Sequence, residues 1–137
     1  MAHGSPSQSY EHRYHLPGTF YVITSRNTRL KDGRRLFKVG GTTVHISDRL
    51  RPLQGRYAGI WDWEVVRLWK HDLPFHIETA ALRELSEYKI TSLDGRDCGR
   101  EMMAAADETP ILIGALTVLE RHAKRQRERA RYLKKYG

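Results

Sequence analysis

The chain has 137 residues, 39% of them hydrophobic, which is room for one buried core and not for a second domain of ordinary size. No stretch reaches the roughly 18 apolar residues of a membrane span, the first nine residues lack the apolar heart of a secretory signal, and a single cysteine, Cys98, excludes an internal disulfide and a cysteine-rich zinc cluster. These exclusions suit a cytoplasmic protein. Most of the formal charge of +8 lies at the end, where Arg121, Lys124, Arg125, Arg127, Arg129, Arg131, Lys134 and Lys135 face only Glu120 and Glu128.

Residues 1–16 read as a disordered leader or the remnant of an expression tag. The first strand follows Pro17-Gly18, where Phe20 to Thr24 are aromatic or β-branched. Polar residues from Ser25 to Arg34, with Lys31-Asp32-Gly33 among them, predict a long hairpin turn into a second strand from Arg35 to Gly40. Arg34 and Arg35 in that connection either touch a nucleic-acid backbone or keep a charged turn soluble. After Gly40-Gly41-Thr42-Thr43, a short helix is expected from Val44 to Arg51, with Thr43 as N-cap and Pro52 as its stop. A third strand, Trp61 to Trp69, places Trp61, Trp63, Val65, Arg67 and Trp69 on one parity, a ladder suited to sheet packing more than to base stacking.

Phe75 to Tyr88 gives the clearest helix. Pro74 precedes it, and Ile77, Ala81, Leu85 and Tyr88 form its apolar stripe. Glu78 shares a flank with Ala81, Leu82 and Leu85. An acid so placed is a helix-dipole partner, or it must be paired, protonated or bound to a metal, because an unpaired buried carboxylate is costly. Gly99 to Ala106 predicts a short helix entered through glycine, with Glu101 as its cap. Thr109-Pro110 opens the last helix as N-cap and first residue. Leu112, Leu116, Leu119, Ala123, Gln126, Ala130 and Leu133 then recur in a heptad-like stripe. Its distal half projects, pairs with a second copy as a homodimer, or orders against nucleic acid, and its cations suit a polyanion as well as plain solvation.

The segments Gly18 to Ile23, Phe37-Lys38-Val39-Gly40, Asp48-Arg49-Leu50, Glu78 and Gly99-Arg100-Glu101 stand in an order and spacing that resemble the GIY-YIG nuclease superfamily. The phage-type branch is the nearer match, because there Lys-Ile/Val-Gly replaces Tyr-Ile-Gly and Gly-Arg-Glu closes the domain. The resemblance covers about residues 18 to 103. It implies that Tyr21 contacts or deprotonates the attacking water, that Arg49 binds the scissile phosphate, and that Glu78 holds one divalent cation, Mg2+ or Mn2+. Lys38 stands where many members have a second tyrosine, so an ammonium would hold phosphate there or depress the Tyr21 pKa. Arg100 supports Glu78 or the phosphate. Leu53 falls where members carry a histidine, with His45, His71, His76 and Tyr57 as substitutes. Met103 replaces an aromatic.

The expectation is therefore an α+β domain over residues 17–118, with a small central antiparallel three-stranded sheet flanked by helices, and a basic helical extension over 119–137. Its expected function is magnesium-dependent endonuclease cleavage of DNA. Lys124, Arg125, Arg127 and Arg131 are the expected contacts of the extension with DNA. The alternative is a module that keeps the fold and the basic helix but binds or regulates without cutting.

Overall fold

The computed structural model describes residues 14–99 and 101–137. The expected leader lies mostly outside the described residues, as does Arg100. Strand β1, Gly18–Arg29, forms a hairpin with β2, Arg35–Thr42, and pairs on its other edge with β3, Trp63–His71. A short strand, Met102–Ala105, adds to the far side of β2 as the fourth member of an antiparallel sheet ordered β3, β1, β2, then this strand. Two-residue strands β4, Ser92–Leu93, and β5, Arg96–Asp97, form a separate hairpin before it, so the fourth sheet strand is β6.

The fourth strand corrects two expectations at once: the sheet is not three-stranded, and Met102–Ala105 is strand where a helix was expected. Met and Ala favour helix locally, but propensity is a weak prior beside strand pairing and burial. Met102 to Ala105 pair residue for residue with Arg35–Lys38, and all four are buried.

The hairpin also departs from its reading. Strand β1 runs on to Arg29, and the turn shrinks to residues 30–34, closed by Leu30 N–H to Arg34 O at 3.0 Å and Gly33 N–H to Leu30 O at 2.9 Å. The polar residues stay in strand because they find partners: Ser25 Oγ donates to Asp62 Oδ1 at 2.6 Å, and the Asn27 N–H donates to Asp62 Oδ2 at 2.7 Å. In β3 a register shift opposite Val22 and Ile23 leaves Val66 as an extra residue. The bulge breaks the expected single parity. Trp63 packs with Tyr21 and Ile23 on one face, while Trp69 stacks on Phe20 on the other, with ring centroids 5.4 Å apart.

Helix α1, Ile46–Leu53, starts later and ends later than expected. His45, not Thr43, caps it, its Nδ1 accepting the Ser47 N–H at 3.2 Å, and Pro52 is absorbed in the last turn, where Leu53 is buried. Helix α2, Pro74–Glu84, gives way to a 3-10 turn at Ser86–Tyr88. Helix α3 is a single run, Thr109–Tyr136, with Glu108 in the flanking position expected of Thr109.

Both faces of the sheet are covered. Phe20, Val22, Phe37 and Val39 meet Ile77, Ala81 and Leu85 of α2 and Ile111, Ala115 and Val118 of α3, while Tyr21, Ile23 and Leu36 meet Leu53, Ile60, Trp63 and Leu93. The buried stripe of α3 thus runs through Ile111, Ala115 and Val118, beside the expected leucine row, and leaves Leu116 40% exposed. Arg121 pairs with Glu84 of α2 at 3.2 Å; from Ala123 onward the side chains of α3 are exposed. Among the described residues no helix is long and apolar enough to cross a membrane.

Candidate active site

Alternation along β1 and β2 sets the first two groups. Tyr21 faces Gly40 and Ile23 faces Lys38, so the phenol and the ammonium stem lie on one face as diagonal cross-strand neighbours. The side chains packed around them on that face are mainly apolar, Ile23, Leu36, Leu53 and Trp63 among them. Lys38 is nevertheless almost wholly enclosed, with 2% of its side chain exposed, and a buried ammonium requires partners. It has two: Glu101 Oε2 lies 3.2 Å from Nζ, and the Tyr57 ring centroid lies 4.1 Å away, a cation–π contact. Burial pushes the Lys38 pKa down, and Glu101 resists that shift.

Helix α1 brings Arg49 to the Tyr21 ring, where Nε donates to the hydroxyl oxygen at 3.3 Å. The guanidinium keeps two further nitrogens for an anion. Burial raises the Tyr21 pKa, with Arg49 pulling the other way. Helix α2 contributes Glu78, whose Oε1 accepts the Gly41 N–H at 3.0 Å. Strand β6 pairs only with residues 35–38 of β2, so the Gly41 amide is left for this side chain. Burial, reinforced by the charge of Glu101, raises the Glu78 carboxyl to about 7, against the opposing pull of the Gly41 N–H, Arg49 and Lys38.

The glycine pair makes this packing feasible. A Cβ at Gly40 would overlap the Tyr21 ring and hydroxyl, and one at Gly41 would stand 2.9 Å from the Pro74 backbone at the start of α2. One glycine admits the phenol, the other admits the helix carrying Glu78. Gly40→Ala is accordingly expected to cost about 1–3 kcal/mol by overpacking, measured by urea denaturation. Unchanged stability would mean that the ring has room to swing aside.

The structure therefore gathers Tyr21, Lys38, Arg49, Glu78 and Tyr57, which sequence had named, and adds Glu101, which sequence had treated as a helix cap. The available signal for Glu101 was Lys38 itself, a cation inside an apolar strand in want of an anion. His45 is not among them: it is exposed, and its Nδ1 is occupied by Ser47 at the head of α1. In the hairpin, Arg34 pairs with Asp32 at 2.9 Å, and Arg35 lies over the Phe37 ring at 5.2 Å. Lys124, Arg125, Arg127 and Arg131 are exposed along distal α3.

Among the described residues no group of three or more His, Cys, Asp or Glu gathers as a metal cage. The donor set that does exist is a carboxylate pair, Glu78 and Glu101, with Glu101 engaged by Lys38 and one oxygen of Glu78 engaged by Gly41. One oxygen is left on each carboxylate, and so sparse an all-oxygen set would suit a hard, mostly hydrated cation such as Mg2+ or Mn2+ better than zinc.

The family described as the T5orf172 domain matches residues 18–110, more than half of the chain, from the start of β1 to the first turn of α3. No curated protein and no solved structure matches the sequence.

Proposed function

The chain belongs to the T5orf172 domain family, and from that premise we propose that it is an endonuclease of the GIY-YIG type, hydrolysing phosphodiester bonds in DNA with Mg2+ or Mn2+. The family alone points to a nuclease-like or DNA-binding module. What carries the finer reading is the meeting of Tyr21, Lys38, Arg49 and Glu78, supplied by β1, β2, α1 and α2, with four different chemistries at one place.

Hydrolysis of a phosphodiester needs a deprotonated nucleophile and neutralisation of charge on the phosphoryl oxygens. In this reading Tyr21 acts as the phenolate, which Arg49 favours by donating to its oxygen; it orients the attacking water and takes its proton, becoming the neutral phenol. The two free guanidinium nitrogens of Arg49 bind the phosphate. Lys38, fixed between Glu101 and Tyr57, adds positive charge beneath it. Glu78 would hold the divalent cation through the oxygen that Gly41 does not occupy. When bound, that ion supplies charge neutralisation at the phosphoryl and leaving oxygens.

Supercoiled plasmid incubated with the protein and Mg2+ is expected to be nicked or linearised, and Glu78→Gln to leave it intact. The rival reading, binding without cutting, draws on one observation: the exposed cations of distal α3 need no catalytic site to hold DNA. Plasmid that is bound yet uncut by the wild type under these conditions decides for the rival. In either case, replacing Arg125, Arg127, Arg129 and Arg131 by Gln is expected to flatten the plot of log affinity against log salt by about 0.9 for each phosphate no longer neutralised. An unchanged slope, measured by fluorescence anisotropy between about 50 and 200 mM salt, removes distal α3 from the DNA interface.

A further inference from the structure

Trp61 is 73% exposed, on the loop between α1 and β3. Its exposure does not come from a loose backbone. Ile60, before it, is buried, and Asp62, after it, accepts from Ser25 Oγ at 2.6 Å and from the Asn27 N–H at 2.7 Å. The loop closes on itself through Gly55 N–H to Ile60 O at 2.6 Å and Ile60 N–H to Tyr57 O at 3.1 Å. Gln54 braces its exit, with Nε2 donating to Trp63 O at 3.3 Å and Oε1 accepting the Trp63 N–H at 3.2 Å. Gly55 has a φ of 79°, and the six-membered ring of Trp61 lies where its Cβ would stand. One face of the indole is thus seated on backbone, and the side chain still presents most of its surface to solvent.

Two further features give this platform a direction. Tyr57, on the same closed loop, covers the Lys38 ammonium and so joins Trp61 to the site. The same loop carries cations: Arg56 is exposed on it, and the Arg96 guanidinium approaches it at Gly59, within 3.6 Å of the position a Cβ there would take. A seated aromatic on a loop that also presents cations suits a nucleic-acid base and its neighbouring phosphates, and its fixed orientation lowers the ordering cost of stacking.

We propose that Trp61 stacks on an unpaired base next to the bond being cut, which makes the substrate DNA with an unstacked nucleotide at the cleavage point rather than continuous duplex. This rests on the nuclease reading of the same face. A duplex offers no free base face unless it is first opened, whereas a gap, a bulge or a single strand offers one at a lower cost.

The test separates the two readings by measuring binding in EDTA, where no cleavage is needed. Labelled 12-nucleotide oligothymidylate and a blunt duplex of the same length are titrated into wild type, Trp61→Phe and Trp61→Ala. Trp61→Ala is expected to weaken oligothymidylate binding by about 5- to 100-fold and leave the duplex unchanged. Trp61→Phe is expected to keep the affinity while losing the quench of tryptophan emission that wild type shows. With Mg2+ and a duplex carrying one unpaired thymidine, Trp61→Ala should raise KM and leave kcat alone. Equal affinity of Trp61→Ala and wild type for oligothymidylate overturns the stacking role, whether or not the protein cuts. So does an undiminished quench in Trp61→Phe, or a wild type that binds neither DNA. Failure to cut with the binding differences intact overturns only the nuclease reading.

Discussion

Glu78→Gln is expected to lower cleavage by at least about 100-fold while raising thermal stability above pH 7. Burial holds this carboxyl at about 7, against 4.5 in an exposed chain, so between those pH values the native protein keeps a proton that the unfolded chain has lost. Stability must then fall as pH rises through that window and remain lowered above it. At 1.36 kcal/mol per unit the full effect is about 3 kcal/mol, and partial solvent access reduces it to about 1–2 kcal/mol. Glutamine carries no charge to desolvate and keeps an oxygen for the Gly41 N–H. Melts at pH 8 should therefore place the variant above wild type, with the gap closing near pH 4.5. Magnesium supplies a second readout that needs no activity: it should stabilise wild type at pH 8 by binding the ionised carboxylate, and leave Glu78→Gln unmoved. A melting-temperature gap that ignores pH would show that this carboxyl does not titrate near 7. Full activity in the variant would remove Glu78 from the chemistry.

The elements whose partners are local were legible in the sequence. Phe20 to Thr24 announce a strand by composition, and Ile77, Ala81 and Leu85 announce a helix by spacing; both lie in the core as expected. The errors that change the topology fall where a distant partner decides. Met102 to Ala105 become strand because the far edge of β2 stands open to them, and nothing within those four residues records that edge. The bulge at Val66 is equally silent, since it appears only as a shift of β3 against β1, yet it sends Trp63 and Trp69 to opposite faces. For the site, motif order named Tyr21, Arg49 and Glu78 because each sits at a fixed place on its own element. Glu101 was read as a helix cap and not as the partner of Lys38, because the two lie 63 positions apart along the chain. The role of the Gly-Gly pair was hidden for the same reason: Gly40 answers to Tyr21 across the hairpin and Gly41 to the head of α2.

Glu101→Gln should be the most destabilising change at the site, and Lys38→Met should repair it. The two partners of this ion pair are unequally exposed, 2% for Lys38 and 38% for Glu101, so their removal is not symmetric. Without Glu101 the ammonium stays enclosed against the Tyr57 ring and loses the ion pair that the structure gives it, at a cost of about 2–4 kcal/mol. Without Lys38 the glutamate is near enough to water to be hydrated, and methionine fills the apolar volume, so the single change should cost less than about 1 kcal/mol. The double variant should then recover most of the loss, giving a coupling energy of about 1.5–3 kcal/mol in denaturant unfolding. The pH dependence has a definite sign. Burial already lowers the Lys38 pKa and Glu101 resists that shift, so Glu101→Gln lowers it further. The unfolded chain then binds the extra proton, and the stability deficit shrinks as pH rises toward about 10. Cleavage separates structure from chemistry: if the ammonium neutralises phosphate charge, the double variant is folded and inactive. A double variant as unstable as Glu101→Gln alone would sink the idea that the buried charge causes the loss. One that is stable and fully active would leave Glu101 and Lys38 as a structural pair.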